Sequence, residues 1–207
     1  MNYKTEQEAF WAGEFGTEYI DRNVGEVLLG ANLDFFAKAL RYAPGIGSCI
    51  EFGANVGMNL RALQLLYPRQ QHFGIEINQA AAAQLARHIP AGHIFQQSIL
   101  DFEPQRLFDL VLIKTVLIHI NPEFLPIVYD AIYRSCGRYI LLAEYYSQTP
   151  VEISYRGHSG RLFKRDFSGE MLAAYPDLKL VDYGFSYRND PVFPQDDINW
   201  FLMEKRS

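Results

Sequence analysis

The sequence predicts an α/β fold in which helices cover both faces of a mostly parallel, seven-stranded sheet. Apolar strand-like runs alternate with helix-like segments up to residue 144, which is the pattern of a parallel sheet. At residues 50–59 a buried run enters a glycine-rich turn and then a helix. The last two strand-like runs follow with only a short helix between them, so we expect a C-terminal antiparallel hairpin.

Each strand is predicted from a short apolar or β-branched run. The strands lie near 48–53, 71–76, 93–97, 108–113, 138–144, 179–187 and 197–204. Helices are predicted before and between them, at about 31–42, 57–67, 79–88 and 123–135. The third helix is an alanine-rich run that Pro90 closes.

The length and composition predict one globular domain. The chain has 207 residues, of which 49% are hydrophobic and 14% aromatic, enough for a full core. We divide it into an N-terminal arm with lid helices (1–45), a ligand-binding core (46–144), an acceptor-site insertion (145–170) and the C-terminal hairpin (171–207).

Charge and cysteine content disfavour several classes of protein. A formal net charge of −5 leaves no general basic face for nucleic acid. Cys49 and Cys136 lie in apolar runs and are predicted to be reduced core thiols. Histidines and acids show no metal-ligand spacing, so no metal is expected. The polar N-terminus is unlike a signal peptide and no apolar run approaches a membrane span. We therefore expect a cytoplasmic protein with a small-molecule partner.

The loop Glu51–Asn59 is the most informative motif. Gly53 and Gly57 permit positive φ and a close approach of the backbone to a ligand. A dinucleotide pattern G-x-G-x-x-G would need glycine where the chain has Asn55 and Met58. The acidic-x-Gly-x-Gly-x-Gly pattern of class I S-adenosylmethionine methyltransferases fails only at Asn55, and Asn tolerates left-handed φ. The loop and Asn59, at the start of the following helix, are therefore predicted to bind S-adenosylmethionine.

A carboxylate at the end of the second strand supports an adenosine ligand. Glu76 is placed to accept hydrogen bonds from two ribose hydroxyls, as in S-adenosylmethionine or NAD. The alternative is that Glu76 only adds a favourable charge at the start of the next helix. Beside the glycine loop, we favour ribose binding by Glu76 and its neighbour Ile77.

Further candidates follow the third and fourth strands, because ligands of open α/β sheets bind outside the carboxyl ends of strands. Ser98 and the Ile99 backbone are placed to contact adenine. Lys114 and His119 are the ionisable groups after the fourth strand. We place Lys114 with the cofactor and His119 among the catalytic candidates; the alternative for His119 is a hydrogen-bonded core histidine.

The N-terminal arm supplies aromatic and cationic candidates. Trp11 and Tyr19 are predicted to cover the cofactor, while Arg22 or Asn23 would bind its methionine carboxylate. The alternative is a surface helix that packs its aromatic residues on the sheet.

The insertion after residue 144 combines aromatic faces with cations, as a sugar acid would require. Its alternative is an ordinary solvated loop. Candidate proton acceptors, with Tyr146 as an orienting group, are His119, Glu144 and His158. Candidate acceptor-binding residues are Tyr145, Tyr155, Arg156, Lys164 and Arg165.

Several segments combine into a wider signature. They are residues 5–23, 51–59, 114–122 and 144–146, with 155–159 and 162–166. Through these segments the chain resembles the pseudaminic acid biosynthesis-associated methylases. The resemblance implies a Rossmann-like class I methyltransferase fold and methyl transfer from S-adenosylmethionine to N or O of a bacterial nonulosonic-acid sugar or its nucleotide-activated form. S-adenosylhomocysteine would be the product.

Other functions stay open. The protein could methylate another small molecule, or it could bind S-adenosylmethionine without catalysis. An oxidoreductase of the Rossmann type is disfavoured by Asn55, Met58 and the C-terminal hairpin.

Overall fold

We describe a computed structural model of the chain over residues 3–20 and 25–206. The helices in these ranges are α1 (Glu6–Ala12), α2 (Glu14–Tyr19), α3 (Glu26–Ala39), α4 (Met58–Leu66), α5 (Gln79–Leu85), α6 (Leu125–Ser135) and α7 (Phe167–Ala174). The strands are β1 (Ser48–Phe52), β2 (Gln71–Ile75), β3 (Ile94–Phe95), β4 (Phe108–Lys114), β5 (Cys136–Glu144), β6 (Val151–Tyr155), β7 (His158–Lys164), β8 (Leu178–Ser186) and β9 (Ile198–Lys205).

The main sheet has seven strands in the order β3-β2-β1-β4-β5-β9-β8. Neighbours from β3 to β5 are parallel, whereas β9 runs antiparallel to β5 and β8. This confirms the predicted mostly parallel sheet with a C-terminal antiparallel hairpin. The chain winds outward in opposite directions from β1 and β4, so the loops that follow these two strands diverge and leave a crevice between them.

The central strands are buried on both faces of the sheet. Successive residues of β1 alternate between the faces, with Cys49 toward α3, α4 and α5 and Ile50 toward α6 and α7. Both side chains are fully buried. Helices therefore cover both faces, as the near-continuous apolar runs predicted. Cys49 and Cys136 are buried and free, which confirms the expected core thiols.

Side-chain caps fix where several helices begin. Thr5 and Glu8 form a reciprocal capping box at the start of α1. The Asn78 side chain accepts hydrogen bonds from the N–H groups of Ala80 and Ala81 at the start of α5. These caps satisfy backbone donors that lack a partner within the helix, and they place α5 directly after the end of β2.

Several element predictions differ from the structure, three of them in ways that matter for the fold. The first long helix spans Glu26–Ala39, so it begins and ends earlier than expected. The third strand is only Ile94–Phe95, because the N–H of Gln97 turns back to the carbonyl of Phe95 at 3.0 Å. The short helix α7 precedes β8 and does not lie between the last two strands.

The insertion contains a second, two-stranded sheet that composition alone did not predict. Strands β6 and β7 pair antiparallel. Their turn holds Arg156 at φ +52° and Gly157 at φ +85°, the two positive φ values that a tight hairpin turn requires. Within residues 3–20 and 25–206, no helix is both long and apolar enough to cross a membrane.

Candidate functional site

A cavity of about 190 Å³ lies at the carboxyl ends of the central strands. Its walls come from the loops after β1, β2 and β4, while α1 and α2 lie over it. It includes most of the residues that the sequence predicted for the site: Trp11, Tyr19, Gly53, Asn55, Asn59, Glu76, Ile77, Ser98, Ile99, Lys114, His119, Tyr145 and Tyr155.

The loop between β1 and α4 needs glycine at two positions. Gly53 has φ +76°, and a Cβ built on it would lie 2.7 Å from a Val116 methyl group. Gly57 has φ +86°, and its Cβ would lie 2.6 Å from Leu85. Asn55 adopts φ +48°, the left-handed conformation expected where the methyltransferase pattern has glycine. The loop thus keeps the backbone path of the pattern despite the substitution.

Glu76 ties the glycine loop to the end of β2. One carboxylate oxygen accepts a hydrogen bond from the Asn55 N–H at 2.7 Å, and the other accepts from the Asn78 N–H at 2.7 Å. Burial raises the pKa of Glu76, while hydrogen bonds from the backbone N–H groups of Asn78, Asn55 and Ile77 oppose the rise. A carboxylate has about four lone-pair directions, so Glu76 can also accept from a ligand.

A buried acid and a partly buried cation lie beneath the loop. Glu51 accepts a hydrogen bond from the Asn59 side chain at 2.6 Å. Burial raises the pKa of Glu51 to about 8, against the opposing effects of Asn59 and the Lys114 charge. Burial lowers the pKa of Lys114, which the Glu51 charge partly offsets, and its ammonium lies 3.4 Å from the Asn32 side-chain oxygen.

Two buried polar atoms of cavity-lining residues have no hydrogen-bond partner among the described residues. They are the side-chain oxygen of Asn55 and the indole nitrogen of Trp11. The second carboxylate oxygen of Glu51, beneath the loop, also has none. Buried polar groups are normally paired, so the Asn55 and Trp11 atoms indicate where a polar ligand or water would bind.

Hydrogen bonds and ring contacts hold α1 and α2 over the cavity. The Asn78 side chain donates hydrogen bonds to the Trp11 carbonyl at 3.2 Å and to the Thr17 hydroxyl at 3.1 Å. The Trp11 ring packs on His119 with centroids 4.6 Å apart and on Tyr19 at 5.2 Å. The predicted contacts Arg22 and Asn23 lie outside the described residues.

His119 is held in one orientation at the cavity wall. Its Nδ1 lies 2.6 Å from the Arg161 carbonyl, so a neutral ring donates from Nδ1 and carries its lone pair on Nε2. Burial lowers the pKa of His119 to about 4, although the bond to Arg161 opposes that shift. The imidazole is therefore neutral at physiological pH.

Glu144 and Tyr146, two of the catalytic candidates, do not line the main cavity. Glu144 accepts hydrogen bonds from the N–H groups of Val116 and Leu117, each at 2.9 Å. Burial raises the pKa of Glu144 to about 7, against the opposing effect of these backbone hydrogen bonds. Alternation along the extended chain explains the placement: Tyr145 lies on the cavity side, whereas Glu144 and Tyr146 both border a separate small pocket.

The cationic acceptor candidates surround the cavity without lining it. The Arg156 guanidinium lies 6.0 Å from the Tyr19 ring centroid and 5.5 Å from that of Tyr155. The Lys164 ammonium lies 5.1 Å from the Tyr145 ring.

Two further candidates are engaged elsewhere. The His158 ring packs on Phe10 of α1 at 5.1 Å between centroids. Arg165 forms an ion pair with Glu170 at 2.8 Å.

Sequence reasoning missed several polar residues that line the cavity, and three of them, Glu8, Asn32 and Asp196, lie far from the motifs that it used. The Tyr145 hydroxyl donates a hydrogen bond to Asp196; burial and that acid's charge raise the pKa of Tyr145. The Asn32 oxygen accepts from the Gln195 side chain at 2.9 Å. None of the three follows a parallel strand, so the strand-end rule could not find them. The only local signal was the Thr5-x-x-Glu8 capping box.

No metal-binding cluster of three or more His, Cys, Asp or Glu side chains occurs within residues 3–20 and 25–206.

No family model and no curated protein matches the sequence. Solved structures do match. Magnesium protoporphyrin IX methyltransferase from Synechocystis, with bound S-adenosylmethionine, aligns over 100% of both chains with a TM-score of 0.66 at 14% identity. The chain has the class I methyltransferase fold. The same fold occurs in the 1,6-didemethyltoxoflavin-N1-methyltransferase of Burkholderia thailandensis, with a TM-score of 0.74, 13% identity and coverage of 100% of this chain and 92% of that one.

A third structure with the class I methyltransferase fold is the sugar N-methyltransferase KedS8 from a Streptoalloteichus species. It has a TM-score of 0.66 and 15% identity, and the alignment covers 100% of this chain and 97% of that one. The three proteins act on chemically different molecules by their names. The shared fold therefore does not identify the acceptor, which has to be inferred from the residues of this chain's own cavity.

Proposed function

We propose that the protein is an S-adenosylmethionine-dependent methyltransferase that acts on N or O of a small acceptor. The observation that carries this proposal is Glu76, which lines the cavity at the end of β2 and bonds to Asn55 of the glycine loop. An acid at this place suits the two ribose hydroxyls of an adenosine ligand. The residues Asn55 and Met58 disfavour a dinucleotide, and two solved neighbours contain S-adenosylmethionine or S-adenosylhomocysteine.

The charges and unpaired atoms of the cavity fit this cofactor. Among the described residues, three acids, Glu8, Glu76 and Asp196, line the cavity with one lysine, Lys114, a balance that favours a sulfonium cation. The unpaired oxygen of Asn55 can accept a hydrogen bond from a ligand amine. When bound, the cofactor would supply an electrophilic methyl group.

The cofactor contacts follow from the order of the strands. The backbone at Gly53 would approach the ligand most closely, and Ser98 with Ile99 would adjoin the base. Lys114 would bind the carboxylate of the methionine part. Trp11 and Tyr19 would cover the ligand and exclude water, which strengthens electrostatic interactions in the cavity.

His119 is our candidate proton acceptor. Its pKa of about 4 keeps the ring neutral, so Nε2 holds a lone pair at neutral pH. The ring is a weak base and suits an acceptor that loses its proton as the methyl group is transferred. We propose that Glu144 positions the Val116–Leu117 turn that leads to His119.

We propose a nonulosonic-acid sugar, of the pseudaminic type, or its nucleotide form as the acceptor. Tyr145 and Tyr155 offer ring faces to a sugar, and Arg156 and Lys164 are cations beside those rings. A carboxylate or phosphate suits these cations. The resemblance noted in the sequence supports this class, and a sugar N-methyltransferase shares the fold. We also propose that the protein acts in the cytoplasm, where its two buried thiols would stay reduced.

Calorimetric titration with S-adenosylhomocysteine, run in parallel with NAD, tests the cofactor proposal. We expect micromolar binding of S-adenosylhomocysteine and no binding of NAD, because the loop lacks two glycines of the dinucleotide pattern. A preference for NAD, or no binding of either ligand, would contradict the proposal. Binding without methyl transfer to any member of a broad small-molecule panel would favour the non-catalytic alternative.

Alanine variants of Tyr155, Arg156 and His158 test the acceptor assignment. We expect each to bind S-adenosylhomocysteine as the wild type does and to transfer labelled methyl groups to nonulosonic acids more slowly. For Arg156→Ala we expect a loss of at least about tenfold, the cost of one lost charged contact. Arg134→Ala is the control, because Arg134 pairs with Glu103 away from the cavity. Loss of cofactor affinity in the three variants would assign them to the cofactor instead.

A further inference from the structure

Glu8 of α1 is a buried carboxylate that lines the cavity, although only 8% of the residue is exposed. One oxygen accepts hydrogen bonds from the backbone N–H groups of Lys4, at 2.6 Å, and Thr5, at 2.9 Å. The other accepts from the hydroxyl of Ser98. Glu8 thus joins the N-terminal helix to the loop after β3.

Its position relative to Glu76 indicates which part of the ligand it would meet. A ribose bound by Glu76 lies at the end of β2, and β3 is the next strand outward in the sheet. A base attached to that ribose would pass the apolar side chains of Ile77 and Ile99, which line the cavity there. Ser98 and Glu8 form the polar end of this slot.

Of these two groups, Glu8 is the stronger acceptor for the base, because it is a carboxylate. The Ser98 hydroxyl donates to Glu8 and already accepts from the Leu100 N–H at 3.0 Å, so it has no proton left to donate and one lone pair already engaged. The Glu8 oxygen that accepts from Ser98 retains a second lone-pair direction. The exocyclic amino group of adenine is a hydrogen-bond donor and matches this acceptor.

We propose that Glu8 is a specificity residue for the cofactor and accepts a hydrogen bond from the adenine amino group. The inference rests on the proposed function. Helix α1, which lies over the cavity, would then be part of the cofactor site and would distinguish adenine from other bases.

The capping box allows a clean variant. Gln serves the same capping role as Glu at this helix position, so Glu8→Gln preserves the start of α1. The amide can donate to an oxygen, whereas the carboxylate cannot. Glu6→Gln is the matched control, because Glu6 lies on the same helix, pairs with Arg161 at 3.2 Å and does not line the cavity.

The experiment is calorimetric titration with S-adenosylhomocysteine and with S-inosylhomocysteine, whose base has an oxygen in place of the amino group. We expect the wild type and Glu6→Gln to favour the adenosyl ligand at least about tenfold, the cost of losing a hydrogen bond to a charged group. Glu8→Gln should reduce this ratio to near one. Ser98→Ala should keep the preference, since it leaves the carboxylate in place.

Each outcome separates this inference from the proposed function. If the wild type binds neither ligand, the proposed function fails. If it binds S-adenosylhomocysteine but Glu8→Gln keeps the wild-type ratio, Glu8 does not read the base and the proposed function stands. Circular dichroism checks that each variant is folded. If Glu8→Gln is unfolded, Glu8→Asp replaces it, because this change withdraws the carboxylate by one methylene. We expect Glu8→Asp to lose the preference for S-adenosylhomocysteine over S-inosylhomocysteine.

Discussion

Glu76→Ala is expected to weaken S-adenosylhomocysteine binding by at least about a hundredfold, because two ribose hydroxyls lose a charged acceptor worth about 1.5–3 kcal/mol each. The substitution also leaves the N–H groups of Asn55 and Asn78 without the oxygens that accept from them at 2.7 Å. The glycine loop would then lose its tie to β2. Both effects act on the same ligand site.

Calorimetry measures this change in affinity, and thermal unfolding shows whether the chain remains folded. Asp101→Ala is the matched control, because Asp101 is a nearby acid that pairs with Lys4 and does not line the cavity. It should bind with wild-type affinity. Wild-type affinity in Glu76→Ala would remove the ribose assignment, and with it the observation that carries the proposed function.

Gly53→Val is expected to abolish S-adenosylhomocysteine binding and to lower the free energy of unfolding by about 2 kcal/mol or more. A side chain at φ +76° costs about 1–3 kcal/mol, and overpacking against Val116 at 2.7 Å adds about 1–3 kcal/mol. Because domains of this size are commonly stable by about 5–15 kcal/mol, we expect the variant to stay folded. Its side chain would also occupy the space beside the ligand.

Two further variants separate steric overlap from backbone strain. Gly53→Ala alone overlaps the Val116 methyl groups, and Gly53→Ala with Val116→Ala removes that overlap but keeps the positive φ. Urea unfolding should show partial recovery of stability in the double variant. Gly92→Val is the control, because Gly92 has nothing within 4 Å of its Cβ position. Wild-type binding by Gly53→Val would show that the loop does not approach the ligand.

Local motifs gave the central part of the site. The backbone at Gly53, Asn55 and Gly57 has positive φ, a requirement that restricts residue choice position by position. Glu76 could be identified for a similar reason, since it directly follows a short buried strand next to the first one. Such features depend on residues close in sequence, so the sequence displays them directly.

The alternation of side-chain directions along the chain determines which residues at the end of β5 line the cavity. The sequence analysis gave the consecutive residues Glu144, Tyr145 and Tyr146 roles at the acceptor site: Glu144 as a proton acceptor, Tyr146 as an orienting group and Tyr145 as a binding residue. Successive side chains of an extended segment point in opposite directions, so only Tyr145 lines the main cavity. Which side faces the cavity depends on the register of β5 with β4 and β9, and no local pattern gives that register.

The sequence by itself determined the α/β class, the central parallel strands and the glycine loop with its acid, because these follow from periodicity and backbone conformation. Tertiary structure alone decided that Glu8, Asn32 and Asp196 line the same cavity, and that the β6–β7 hairpin packs on α1 through a hydrogen bond from Gln7 to Gly160. These contacts join segments far apart in the chain. They form only when packing of the whole core brings those segments together, so the spacing of residues along the sequence does not predict them.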